Sequence, residues 1–142
     1  MRNERIGHHP LAHRRVMVLE DDFLIKNDLE TLLEKAGAMI SSVHHPRLEV
    51  AILDVGMGRG PSSTQTAREL SRRGVPFFFY TGQTDEVLAP IRAEWPDVVL
   101  MTKPALPEAI VQTLVGLLAS SPGSLIGRGK ITSFAGRGPV PV

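Results

Sequence analysis

The sequence predicts an α/β fold built on a doubly wound, mostly parallel sheet. Short apolar runs rich in Val, Ile and Phe recur at residues 15–20, 50–55, 75–81 and 98–101. Continuous apolar runs of this length are what strands buried on both faces look like. Between them lie stretches with helical spacing, and alternation of the two patterns points to parallel β-α units. The strong runs also end in chemically capable residues, and in such sheets ligands sit beyond the carboxyl ends of the strands.

The elements follow in order. Residues 15–20 (RVMVLE) form the first strand and break off into Glu20, Asp21 and Asp22. From Phe23 to Ala36 the residues Ile25, Leu29, Leu32, Leu33 and Ala36 share one helical face, and Gly37 closes that helix. Residues 39–43 are a weaker strand. Residues 50–55 (VAILDV) are a strong one, with Asp54 interrupting the apolar end, followed by a glycine-rich loop from Gly56 to Pro61. Residues 62–73 read as a modest helix closed by Gly74, and residues 75–81 (VPFFFYT) as an aromatic strand.

Residues 84–95 read as a helix with Pro90 inside it, which predicts a short, kinked or mobile element, since an interior proline costs ~3 kcal/mol. Residues 98–101 are the last strand. Pro107 opens the last helix, with Ile110, Val111, Leu114, Val115 and Leu118 on one face.

The expected organisation is a flexible leader over 1–13, one domain over 14–119 and a Gly/Pro-rich tail over 120–142. A chain of 142 residues is the size of one domain, and 42% hydrophobic with 22% charged residues is globular composition. The formal net charge of +1 gives no case for nucleic acid or a membrane as partner, and the basic residues near the two ends read as solvated tails. The absence of cysteine excludes disulfides and thiolate metal sites and suits the cytoplasm. No secretory signal or apolar run of spanning length is present. The histidines at 8, 9 and 13 read as a solvated segment, with weak metal binding as the alternative, and the pair at 44 and 45 as solvated with no metal role.

The strand ends form a constellation. The first offers Glu20, Asp21 and Asp22, the second Asp54, the third Thr81 and the fourth Lys103 followed by Pro104. Each alone has a bland explanation as loop, cap or turn; in this order, each at a strand end, they converge on one rim. Clustered carboxylates need a counter-charge. A hard divalent cation supplies it, Mg²⁺ being usual where few carboxylates meet a phosphate. An aspartate can then act as nucleophile toward phosphorus, with Lys103 and the Thr81 hydroxyl on the phosphoryl oxygens.

The segments VMVLEDDFLI, VAILDVGM, FFFYTG and VVLMTKP resemble the response regulator receiver family over residues 15–118. The resemblance implies a five-stranded sheet of order 2-1-3-4-5. It implies that Asp54 accepts phosphate from a histidine kinase or histidine phosphotransfer protein. It further implies that Asp21, Asp54 and the Gly56 carbonyl contact Mg²⁺ while Glu20 acts through water. Asp22 takes the less critical third acidic place, and Thr81 and Lys103 match the family's hydroxyl and lysine.

PFFFYTG is similar to the PFxFATG signature of single-domain receivers of alphaproteobacteria, with Tyr80 in place of Ala. With 24 residues after Leu118, the chain is expected to stand alone as shuttle, sink or protein-binding switch, not as an enzyme. A downstream protein partner and a weak homodimer stay open.

Two departures stand out. Leu100 occupies the place of the usual switch aromatic. Only residues 44–49 separate the second and third strands. A parallel crossover with a helix needs at least ~10–12 residues, whereas six extended ones reach ~20 Å. Three explanations stay open: a missing second helix, a displaced second strand, or a stretch omitted from the sequence.

A non-phosphorylating interaction module on the same fold is the alternative function. An aspartyl-nucleophile phosphatase would need a general acid where Gly56 stands, and a nucleotide-binding loop would need a lysine that the glycine-rich stretch lacks.

Overall fold

In a computed structural model of the chain, residues 9–56 and 62–120 are described. The elements are β1 Arg15–Leu19, α1 Phe23–Lys35, β2 Met39–Ile40, β3 Val50–Leu53, α2 Ser63–Arg72, β4 Phe77–Thr81, α3 Asp85–Glu94, β5 Leu100–Thr102 and α4 Pro107–Ser120. The five strands form one sheet in the order β2-β1-β3-β4-β5, parallel at every pairing. This is the expected 2-1-3-4-5 arrangement.

Period-two alternation divides the core into two layers. Val16, Val18, Val50, Ile52, Phe78 and Tyr80 face the layer shared with α1 and α4. Met17, Ala51, Leu53, Phe77 and Phe79 face the layer shared with α2 and α3, where Trp95 stacks edge-on against Phe77 at 5.9 Å between ring centroids. Local chemistry sets the helix starts. The Asp22 carboxylate caps α1, Ser62 and Gln65 form a reciprocal cap on α2, and the Thr84 hydroxyl caps α3.

The crossover from β2 to β3 has no helix. Residues 41–49 make two successive turns instead. Since β2 holds its place beside β1, the missing element is the helix and not the strand. Leu48, 5% exposed, drops from this crossover into the α2/α3 layer, and Val43 packs beside it. Arg73, the C-cap residue just after α2, donates to the Val43 carbonyl and, at 2.7 Å, to that of His45. One apolar side chain and one guanidinium thus do the covering and tethering that a helix would do.

Two other expectations need revision or placing. The leader ends sooner than Arg14. Leu11 is fully buried in the α1/α4 layer, and the Leu11 and His13 amides donate to the carbonyls of Ala36 and Gly37. Gly37 permits this approach, because its φ is +98° and a Cβ there would lie 2.9 Å from the Ala12 Cα. The remainder of the leader (1–8), most of the glycine-rich loop (57–61) and the tail from 121 lie outside the described residues. α3 is indeed short, ten residues, and runs through Pro90 as one helix.

Candidate functional site

Strand register assembles the site. Leu19 pairs with Leu53, so Glu20 and Asp54 are the first residues beyond two adjacent strands. The Asp54 amide donates to the Leu19 carbonyl at 2.9 Å, which holds that edge together. On the other side Thr81 pairs with Thr102, and the Lys103 amide donates to the Thr81 carbonyl at 2.9 Å. Residues 20, 54, 81 and 103 therefore meet on one rim, as expected from the strand ends.

Lys103 is the centre of charge. Its Nζ lies 2.8 Å from Glu20 Oε1 and 2.9 Å from Asp54 Oδ1. The Glu20 side chain is 2% exposed, that of Asp54 12% and that of Lys103 19%. Burial pushes the Asp54 carboxyl above its ordinary value; Lys103 pulls the other way, and the Glu20 charge adds to the rise. Burial alone would lower the Lys103 ammonium, but its bonds to Glu20 and Asp54 outweigh that and raise it.

The three consecutive acids have three different places. Glu20 is fully engaged, with Oε1 on Lys103 and Oε2 accepting from the Asp22 amide at 3.0 Å. Asp22 Oδ1 accepts from the amides of Leu24 and Ile25, making it the α1 cap and not a member of the rim. Asp21 is exposed, and among the described residues no hydrogen bond or ion pair engages its carboxylate. A Cβ built on Gly56 would lie 2.8 Å from Asp54 Oδ2 and 3.4 Å from Asp21 Oδ2. The carboxylates of Asp21 and Asp54 thus border the same small space beside the Gly56 backbone.

The two carboxylates at that space fit a hard cation, which takes oxygen ligands. Among the described residues no three His, Cys, Asp or Glu side chains are grouped so that they could hold a metal ion. Lys103 takes Glu20 and one oxygen of Asp54, leaving Asp21 and Asp54 Oδ2 as the open pair.

Thr81 is 3% exposed. Its hydroxyl accepts from the Gln83 amide at 3.0 Å and points at the Val55 carbonyl, 3.5 Å away, one residue beyond Asp54. Leu100, in the place of the usual aromatic, is half-buried in the α2/α3 layer. In the sequence Tyr80 stands out only as a departure from a signature. In the structure its ring lies below Lys103, whose Nζ is 5.7 Å from the ring centroid, and its hydroxyl accepts from the Ala105 amide at 3.1 Å. An aromatic residue in a buried strand ordinarily reads as core, so nothing in the sequence singled out its polar end.

No family model matches the sequence, and no curated protein matches it. Solved structures do match. A response regulator receiver protein from Sinorhizobium medicae is 18% identical, with TM-score 0.66, over 78% of this chain and 98% of that one. SdrG from Pseudomonas melonis Fr1, solved in its BeF3-activated conformation, is 26% identical with TM-score 0.56, over 80% of this chain and 99% of that one. A response regulator from Burkholderia pseudomallei, solved with a phosphorylated aspartic acid, a calcium ion and citrate, is 18% identical with TM-score 0.59, over 71% and 66%. The chain has the fold of the response regulator receiver domains.

Proposed function

We propose that this chain, on its receiver fold, accepts a phosphoryl group on Asp54 as a response regulator receiver. The observation that carries the reading is the Lys103 ammonium, held 2.9 Å from Asp54 Oδ1 at the rim where Asp21 and Gly56 also stand. An Asp54 oxygen attacks phosphorus, a P–O bond forms, and the P–N bond to the donor's imidazole breaks with its electron pair left on the ring nitrogen. Lys103 neutralises charge on the transferred oxygens. The Thr81 hydroxyl, exchanging its present partners, donates to another.

Asp21, Asp54 and the Gly56 carbonyl would hold a divalent cation, Mg²⁺ in our reading, with Glu20 behind them. When bound, such a cation neutralises phosphoryl charge and orients the group for in-line transfer. The Burkholderia neighbour, which carries a phosphorylated aspartic acid and a calcium ion, supports a protein of this fold taking both a phosphoryl group and a divalent cation.

The donor is proposed to be a histidine kinase or a histidine phosphotransfer protein. Three side chains next to the rim support a protein donor: Phe23 is 75% exposed, and Leu24 and Leu106 are each 71% exposed. The chain would work alone, as shuttle, sink or partner-binding switch, in the manner of the PFxFATG-type receivers. A cytoplasmic setting suits this role, and no helix among the described residues is long and apolar enough to cross a membrane. The phosphatase reading is disfavoured at Gly56, where even a Cβ would press on the Asp54 carboxylate.

The helix-free crossover favours one rival, a non-phosphorylating module that binds a partner constitutively. Incubation with acetyl phosphate and Mg²⁺, read by intact mass, separates the two. We expect the wild type to gain one phosphoryl group and Asp54→Asn to gain none. A wild type that stays unmodified at saturating reagent, and whose spectrum ignores beryllofluoride, would favour the rival.

A further inference from the structure

We propose that Tyr80 is a positioning residue: its ring and hydroxyl hold Lys103, and the loop that carries Lys103, in place beside Asp54. The inference rests on the phosphoacceptor reading for its consequence, and on geometry alone for its substance.

Lysine is a poor choice for a fixed charge, because its ammonium rides on four rotatable carbons and is strongly hydrated. Here it must stand within hydrogen-bond distance of two carboxylates that come from different strands. The residues on either side of it form a loop between β5 and α4, and both observed anchors of that loop come from β4. The Lys103 amide donates to the Thr81 carbonyl at 2.9 Å, and the Ala105 amide donates to the Tyr80 hydroxyl at 3.1 Å. Tyr80 is 7% exposed, so the hydroxyl is held by the packed core and not by solvent.

The same side chain presents its π face to the ammonium, 5.7 Å from the ring centroid, inside the ~6 Å reach of a cation–π contact. Lys103 is thus fenced on three sides, by Glu20, by Asp54 and by Tyr80. Of these, Tyr80 alone also fixes the backbone two residues further on. A small residue at position 80 would fill neither role.

A core-filling tyrosine and a positioning tyrosine differ in what their removal moves. The test uses the full chain with uniform ¹⁵N label, as wild type, Tyr80→Phe and Tyr80→Leu. Three quantities are measured: proton exchange of the Lys103 ammonium, amide exchange at Ala105, and the rate of Asp54 phosphorylation by acetyl phosphate with Mg²⁺. In Tyr80→Phe the ring stays and the hydroxyl goes. The Ala105 amide should exchange about tenfold faster, as befits a lost buried hydrogen bond, while the Lys103 ammonium stays protected. In Tyr80→Leu both should loosen, and the phosphorylation rate should fall about tenfold through misplacement of Lys103.

A folded Tyr80→Leu with unchanged Lys103 exchange overturns the proposal and leaves Tyr80 as core. Should Tyr80→Leu fail to fold, an unchanged Ala105 amide in Tyr80→Phe overturns it instead. If the wild type accepts no phosphoryl group, the functional reading falls, while the two exchange measurements still decide the role of Tyr80.

Discussion

The ammonium of Lys103 stands 2.9 Å from Asp54 Oδ1, across a sequence separation of 49 residues and between two strands that are not neighbours in the chain. It is shared: Glu20 Oε1, 2.8 Å away on the other side, competes for the same charge. One positive group thus offsets only part of the charge of two carboxylates that are each almost removed from water. The site keeps a net negative charge, and one Asp54 oxygen and all of Asp21 stay available to a cation.

Removal of that shared charge should be costly. Lys103→Met would leave Glu20 and Asp54 facing one another at low exposure. Breaking a buried pair by deleting one partner costs ~3–5 kcal/mol, and the lower end applies because Lys103 keeps some contact with water. Urea unfolding at neutral pH should show this loss. Adding Glu20→Gln to Lys103→Met should recover part of it, and a double variant no more stable than the single one would contradict the shared-charge picture.

Asp54 should make stability depend on pH in a definite direction. Its folded value is raised above the ordinary 3.8, first by burial. The folded state therefore gains from the bound proton, and that gain drains away as pH rises through the folded value. Wild-type stability minus that of Asp54→Asn should fall from pH 3.8 upward until Asp54 is fully ionised, then level off. Metal-free urea titrations over the acid range measure it; a difference that grows with pH would show Asp54 to be stabilised in its charged form.

Gly56→Ala is expected to damage the cation site without unfolding the chain. The new Cβ would sit 2.8 Å from Asp54 Oδ2, pushing that oxygen away from Asp21. Mg²⁺ affinity by calorimetry should drop about tenfold or more, in line with losses from misdirected ligand support. Circular dichroism should be unchanged.

Arg73→Met tests the substitute for the absent helix. The guanidinium serves two part-buried carbonyls of the crossover, and leaving each acceptor unpaired costs ~1 kcal/mol where water keeps partial access. Hydrogen exchange over residues 43–48 should quicken well before the sheet opens. Leu48→Ala, at a position 5% exposed, should cost a further ~2–4 kcal/mol through its cavity.

Sequence alone determined the alternation of strands and helices and the residues at each strand end. It did so because those signals are local: apolar runs, helical spacing, proline and glycine stops. The likeness of four short segments to the receiver family then pointed to the strand order, and residues 44–49 were too few for a helix. Tertiary structure decided what depends on distant partners. It drew Leu11 out of an expected loose leader into the core, and replaced a helix by Leu48 and Arg73. It also brought the Tyr80 ring and hydroxyl to Lys103 and its loop. Each of these is a contact between segments that no periodicity connects, so only the packed sheet, with its register fixed, could reveal which side chains meet.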